Sequence, residues 1–117
     1  METRDQKYAR AAFPKVNAQK GKDTEKSYRT VALNFPVMIL QSGLTQSIGF
    51  LLAKNKPEHQ AYLTDLAEIL GLQNANNLHQ TIINNNLSLS DYQQHTRKAL
   101  EAAAWLKRYT QAMLKGE

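Results

Sequence analysis

Apolar residues recur along the chain at spacings of three and four residues, and no stretch alternates apolar and polar residues as a half-buried strand does. This pattern predicts an all-α fold. We expect one domain over residues 1–117, built as a small bundle of about five to six helices with a long C-terminal helix.

The last predicted helix carries the strongest pattern. Ser90 is a suitable N-cap, and periodic residues follow from Asp91 to about Lys115. Two adjacent apolar stripes predict a wide buried face, and Trp105 on the second of them is expected in the core. The stripes hold Tyr92, Thr96, Ala99, Ala103, Leu106, Thr110 and Met113, and beside them Ala102, Trp105, Tyr109 and Ala112.

The opposite face of this helix is polar. Its residues project away from the apolar stripes, so this polar strip is the candidate binding surface. It comprises Gln94, Arg97, Lys98, Glu101, Arg108, Gln111 and Lys115.

Two prolines predict interruptions upstream. Pro14 removes the amide that would bond to the carbonyl of Arg10, so the first helix, which starts near Thr3, should kink or break there. The pair Phe35 and Pro36 should interrupt a second helix that starts near Thr24, and Pro36 should open a separate turn.

Shorter helices are expected in the middle of the chain. One runs from Leu44 to Lys54, and another begins at Pro57 and stops at Gly71. A third covers residues 78–83. The polar segment 17–22 between the first two helices reads as a mobile loop.

Composition narrows the class of protein. With 117 residues, of which 42% are hydrophobic, the chain can bury one core but hardly two. It has no cysteine, which excludes disulfides and thiolate metal sites. No window reaches the roughly 18 uninterrupted apolar residues that a membrane span requires. We therefore expect no membrane association and a cytoplasmic location.

Positive charge is concentrated at the two ends of the sequence. Residues 1–30 and residues 97–115 each carry a net charge of +4, whereas residues 31–96 carry −2. Such charge either keeps a solvated surface soluble or binds a polyanion, and the distribution alone favours neither.

The sequence offers little catalytic chemistry. His59, His79 and His95 lie on separate segments and lack the spacing of a metal-binding helix. Asp65 and Glu68 share a helix face, but a single carboxylate pair is more often solvated than catalytic. We expect no catalytic residues, no metal site and no cofactor.

Two stretches resemble a known family. Residues 36–54 read PVMILQSGLTQSIGFLLAK, and residues 92–114 include the sequence Trp105-Leu106-Lys107-Arg108. Their order and spacing are similar to those of the small subunit of the type III-B CRISPR effector, the fifth subunit of the Cmr complex.

The resemblance implies a non-catalytic subunit that stacks with copies of itself in a ribonucleoprotein filament for antiviral defence. Its implied partners are guide RNA, target RNA and the other Cmr-complex subunits. In a guide-directed complex base pairing reads the sequence, so basic residues need only contact the RNA backbone. Chosen by charge and expected exposure, the candidate contacts are Lys15, Lys20, Lys22, Lys54, Lys56, Arg97, Lys98, Arg108 and Lys115.

Two other functions stay open on the residues alone. One is a helical adaptor that binds protein partners without nucleic acid and uses its basic ends for solubility. The other is a DNA-binding regulator, although no tight helix pair of the helix-turn-helix kind is apparent.

Overall fold

The computed structural model describes residues 1–116, within which the chain forms six α-helices and no strand. The predicted all-α fold with a long last helix is confirmed. The helices are α1 (Arg4–Asn17), α2 (Glu25–Ser42), α3 (Leu44–Lys54), α4 (Pro57–Ile69), α5 (Ala75–Ile82) and α6 (Leu89–Met113). None of them, within the residues described, is both long enough and apolar enough to cross a membrane.

Contacts at the helix ends show the direction of α2 relative to α6. The backbone amide of Lys115, just beyond α6, donates to the carboxylate of Glu25 at the start of α2 over 3.0 Å. The amide of Thr45, just beyond α2, donates to the hydroxyl of Tyr92 near the start of α6 over 3.1 Å. Helix α2 therefore runs antiparallel to α6.

Helix α1 runs parallel to α6. The guanidinium of Arg4 binds the carboxylate of Glu101, and the ring of Phe13 meets that of Tyr109 edge-on, with 5.4 Å between centroids. The buried face of α6 between α1 and α2 consists largely of small side chains. Ala99, Ala102 and Ala103 are all fully buried, and residues of that size let neighbouring helices approach closely.

Helices α2 and α4 meet through three aromatic rings in the core. Tyr62 of α4 lies between Tyr28 and Phe35 of α2, with ring centroids 5.8 Å and 5.1 Å away. All three side chains are fully buried. The hydroxyl of Tyr28 donates to the carboxylate of Asp65 over 2.7 Å, whereas the buried hydroxyl of Tyr62 has no partner among residues 1–116.

The interruption predicted at Phe35 and Pro36 is wrong, because α2 continues through both residues to Ser42. A proline inside a helix costs about 3 kcal/mol. Burial of Phe35 and Ile39 on either side of Pro36 contributes roughly 1.5 to 3 kcal/mol for each side chain, which offsets that cost. Tertiary packing therefore keeps the helix continuous.

The break considered at Pro14 is also absent, since α1 extends from Arg4 to Asn17 as one helix. Both Pro14 and Arg10 lie on the exposed side of α1, so the carbonyl that loses its amide partner can bind water instead. The start at Thr3 is confirmed. Its side chain accepts a hydrogen bond from the amide of Gln6 within a capping box.

Two further details differ from the sequence predictions. The N-cap of α6 is Ser88, whose hydroxyl accepts from the amide of Asp91 over 3.0 Å, and not Ser90. Helix α5 begins at Ala75, earlier than expected, because the side chain of Asn74 accepts from the amide of Asn77. Both helices start where a side-chain oxygen satisfies a free amide.

The unpaired hydroxyl of Tyr62 leads to a prediction about the stability of the fold. We expect Tyr62→Phe to raise the free energy of unfolding by roughly 1 kcal/mol, because the change removes a buried polar group that has no partner in the described fold. Urea denaturation followed by circular dichroism measures the difference.

The matched control is Tyr28→Phe, which removes the same atom from a hydroxyl that does have a partner. It should lower the free energy of unfolding by about 1 to 3 kcal/mol, since Asp65 loses its donor. Equal effects of the two variants would contradict this account of the core.

Candidate nucleic-acid interface

The nine predicted contact residues do not form one continuous surface. Eight of them fall into three groups, and the ninth, Lys15, forms an ion pair with Glu68. The groups are Lys20, Lys22 and Lys115; Lys54 and Lys56; and Arg97, Lys98 and Arg108 on α6.

The first group, which we call the loop cluster, lies where the α1–α2 loop meets the end of α6. Glu25 accepts hydrogen bonds from the backbone amides of Lys115 at 3.0 Å and Gly21 at 2.9 Å. These two bonds are the main reason that the pKa of Glu25 lies below its usual value. Glu25 thus holds the two segments together. The charges of the exposed Lys20 and Lys115 act on its carboxylate, and the exposed Lys22 lies on the same loop.

The second group flanks the turn between α3 and α4. Lys54 and Lys56 are both exposed, on either side of Asn55, whose left-handed backbone ends α3. The ammonium of Lys54 lies 5.4 Å from the ring centroid of Phe50. Along the chain, helices α2 and α3 lie between the loop cluster and this group.

The third group lies on α6 but is not uniformly exposed. Arg97 and Arg108 project from the outer face of the helix. Lys98 is half-buried and borders a groove that includes Tyr8 of α1 and Leu70, just beyond α4. Within the predicted polar strip, Arg97, Arg108 and Lys115 are therefore exposed to a ligand, whereas Lys98 is not fully exposed.

Lys15 forms an ion pair at the edge of a partly buried cluster. Its ammonium lies 2.9 Å from the carboxylate of Glu68, and its side chain is only 21% exposed. The same cluster contains Asp65, which accepts a hydrogen bond from Tyr28. A phosphate would have to compete with Glu68 for Lys15.

Burial raises the pKa of Asp65 to about 6. The hydrogen bond from Tyr28 and the charges of Lys15 and Lys22 act in the opposite direction, and the nearby Glu68 adds to the increase. Burial also raises the pKa of Tyr28 and of Tyr62. The three side chains with raised pKa values are packed among helices α1, α2 and α4.

The prediction that Trp105 belongs to the core is wrong, because its side chain is only partly buried and packs against the outside of the core. Its indole N–H donates to the carboxylate of Asp5 over 2.7 Å. The guanidinium of Arg108 lies over the indole, 5.5 Å from the ring centroid. On the same predicted stripe Tyr109 is half-buried and Ala112 is exposed.

Several polar contacts around these groups could not be predicted from local pattern. Arg4 binds both carboxylate oxygens of Glu101, at 2.7 Å and 2.8 Å, and Asp5 binds Trp105. These pairs join residues at least 97 positions apart. The only local feature in the sequence that pointed to these contacts is the i, i+4 spacing of Arg97, Glu101 and Trp105, which places the three residues on one side of α6.

The arrangement offers cations and aromatic rings to a ligand. Among residues 1–116, no group of three histidine or carboxylate side chains is placed to hold a metal ion. What the surface can do chemically is bind anions through exposed lysine and arginine and bind flat rings near Trp105.

Comparisons with known proteins match the whole fold. A family model described as "CRISPR-associated protein (Cas_Cmr5)" matches residues 4–113. The protein called "CRISPR system Cmr subunit Cmr5" from Thermus thermophilus is 35% identical over 114 residues, which cover 97% of this chain and 98% of that relative. The crystal structure of a CRISPR-associated Cmr5 family protein from the same organism superposes with a TM-score of 0.92 at 35% identity, covering 98% of this chain and 100% of the other.

The raised pKa of Asp65 leads to a prediction about how the stability of the fold depends on pH. A carboxyl whose pKa is higher in the folded than in the unfolded chain destabilises the fold when it is ionised, and this cost disappears as pH falls from about 7 to about 4. We expect Asp65→Asn, which stays neutral and still accepts from Tyr28, to be more stable than the parent at pH 8 by up to about 3 kcal/mol.

The measurement is the free energy of unfolding of both proteins between pH 4 and pH 8, and the advantage of the variant should vanish near pH 4. The control is Asp23→Asn, which makes the same change at an exposed carboxylate that does not act on Asp65 and should lack this pH-dependent gain. A constant difference between Asp65→Asn and the parent would contradict the prediction.

Proposed function

This chain belongs to the Cmr5 family of CRISPR-associated proteins, and from that premise we propose that it serves as the small subunit of a type III-B Cmr ribonucleoprotein complex. The family resemblance read from residues 36–54 and 92–114 is thereby confirmed. The observation that carries the proposal is the match over 97% of the chain together with a fold that superposes at a TM-score of 0.92.

The proposed partners are the other Cmr-complex subunits, guide RNA, target RNA and further copies of this chain along the filament. We propose that residues 1–117 act as one domain, in the cytoplasm, in antiviral defence. Several copies in a row would multiply a weak individual affinity for RNA, because each bound copy raises the effective concentration of the next site.

RNA contact is proposed through backbone phosphates. The loop cluster and the outer face of α6 support this role, because Lys20, Lys22, Lys115, Arg97 and Arg108 are all exposed. Lys54, Lys56 and the half-buried Lys98 remain candidates, and Lys15 would first have to leave Glu68. Contacts of this kind read charge and shape without base preference.

We propose no catalytic step for this subunit. The groups whose pKa values are most displaced, Asp65, Tyr28 and Tyr62, lie between helices and contact one another. A catalytic acid or base must reach a bound substrate, and these side chains are packed against the core. Target cleavage would then belong to other subunits.

A second candidate is the helical adaptor, which the exposed apolar side chains favour. Val37 and Leu40 of α2, Phe50 of α3 and Leu89 of α6 are 45 to 74% exposed. Retention on immobilised RNA that falls with salt supports the first function, whereas salt-insensitive binding of a protein partner without RNA supports the second.

The outer face of α6 provides the test of RNA contact. We expect Arg97→Ala with Arg108→Ala to reduce the slope of log affinity against log salt by about two, one for each lost phosphate contact. The loss should be similar for unrelated RNA sequences. Fluorescence anisotropy of labelled RNA over a salt series measures it, and thermal melts verify the fold.

The matched control is Lys7→Ala with Arg10→Ala, which removes two positive charges from the exposed side of α1. This control should leave the slope nearly unchanged. An equal decrease in both variants would show that overall charge governs binding, and no decrease in either would move the contact to the loop cluster.

A further inference from the structure

A cleft of about 350 Å³ opens between the start of α1 and the outer face of α6. Trp105 forms one wall and Ala104 leaves space beside it. The other lining residues are Asp5, Glu101 and Arg108. We propose that this cleft binds a nucleobase of a single-stranded RNA segment, an inference that rests on the proposed function and adds base contact to it.

The aromatic wall is the first reason. The guanidinium of Arg108 lies 5.5 Å from the centroid of the Trp105 ring and is exposed to solvent on its outer side. Nucleobases in single strands stack on tryptophan rings and on arginine planes in this way. The ring of Tyr109 lies 5.5 Å from that of Trp105, measured between centroids, at a tilt of 33°, and adds to the aromatic surface.

The charge inside the cleft is the second reason. Asp5 and Glu101 are carboxylates, but Asp5 accepts from the indole of Trp105 and Glu101 is bound by Arg4. With Arg4 and Arg108 present, the formal charges around the cleft cancel. A phosphate would meet two carboxylates there, whereas a flat, uncharged base would meet an indole and a guanidinium.

The surroundings of the cleft are the third reason. Arg97 lies on the same outer face of α6, eleven residues before Arg108, which corresponds to about 16 Å along the helix. A neutral aromatic cleft with exposed cations nearby is typical of proteins that bind single strands. The core of a protein-binding interface is depleted of charged residues, whereas three of the five residues that line this cleft are charged.

The chain has a single tryptophan, so fluorescence excited at the long-wavelength edge, where its five tyrosines do not absorb, reports only on Trp105. The full-length protein is titrated at low salt with a short oligocytidine and with an abasic strand of equal phosphate number. We expect saturable quenching by oligocytidine only, and affinity for it at least about fivefold higher than for the abasic strand.

Two variants separate stacking from charge, with binding measured by anisotropy of labelled strands. Arg108→Lys keeps the charge but not the plane, so it should reduce the preference for oligocytidine while leaving the salt slope unchanged. Trp105→Leu should abolish the preference. The control Phe13→Leu removes an aromatic ring that is 49% exposed on α1 but does not line the cleft, and it should keep the preference.

The outcomes distinguish this inference from the proposed function. Equal binding of both strands without base-dependent quenching would leave backbone binding intact and overturn the base site, and would favour a protein contact at the cleft. Binding of neither strand at low salt would overturn both. A preference that persists in Arg108→Lys and in Trp105→Leu would also place base contact elsewhere on the chain.

Discussion

The close packing of α1 and α2 on the alanine face of α6 is the constraint on which the rest of the fold depends. Ala99, Ala102 and Ala103 are fully buried, and side chains of this size let two helices lie against α6 without a gap. A larger residue there would force the helices apart, which commonly costs about 1 to 3 kcal/mol. Helix α6 therefore acts as the axis from which the positions of the surface groups follow.

This axis brings together the distant ends of the sequence. Because α2 is antiparallel to α6, the α1–α2 loop and the end of α6 meet at Glu25, and the lysines of both segments become neighbours. Because α1 is parallel to α6, its first turn reaches Glu101 and Trp105. Part of each basic end of the sequence thus lies on the same side of the molecule. Helix packing brings these lysines together despite the repulsion between their like charges.

Sequence periodicity correctly predicted the features that depend on a single helix. The length of α6 and its buried residue Leu106 follow from spacing, but Trp105 is about 100° further round the helix and lies at the edge of the packed face. Spacing alone could not show where α1 stops covering α6. Pro36 was misjudged for a related reason: the local cost of a proline is known, whereas the burial of Phe35 and Ile39 that offsets it depends on α4 and α6.

The pairing of charges decides which cations are left for a ligand, and it could not be predicted from the net charge of each segment. The ion pairs found within residues 1–116 all take their cation from α1, namely Arg4 with Glu101, Arg10 with Glu2 and Lys15 with Glu68. Each exposed pair contributes little stability, but it cancels positive charge locally. Three of the eight lysine and arginine residues in positions 1–30 are therefore paired with carboxylates. In the proposed role, the exposed cations outside these pairs, which include the loop cluster, Lys54, Lys56, Arg97 and Arg108, would attract a polyanion.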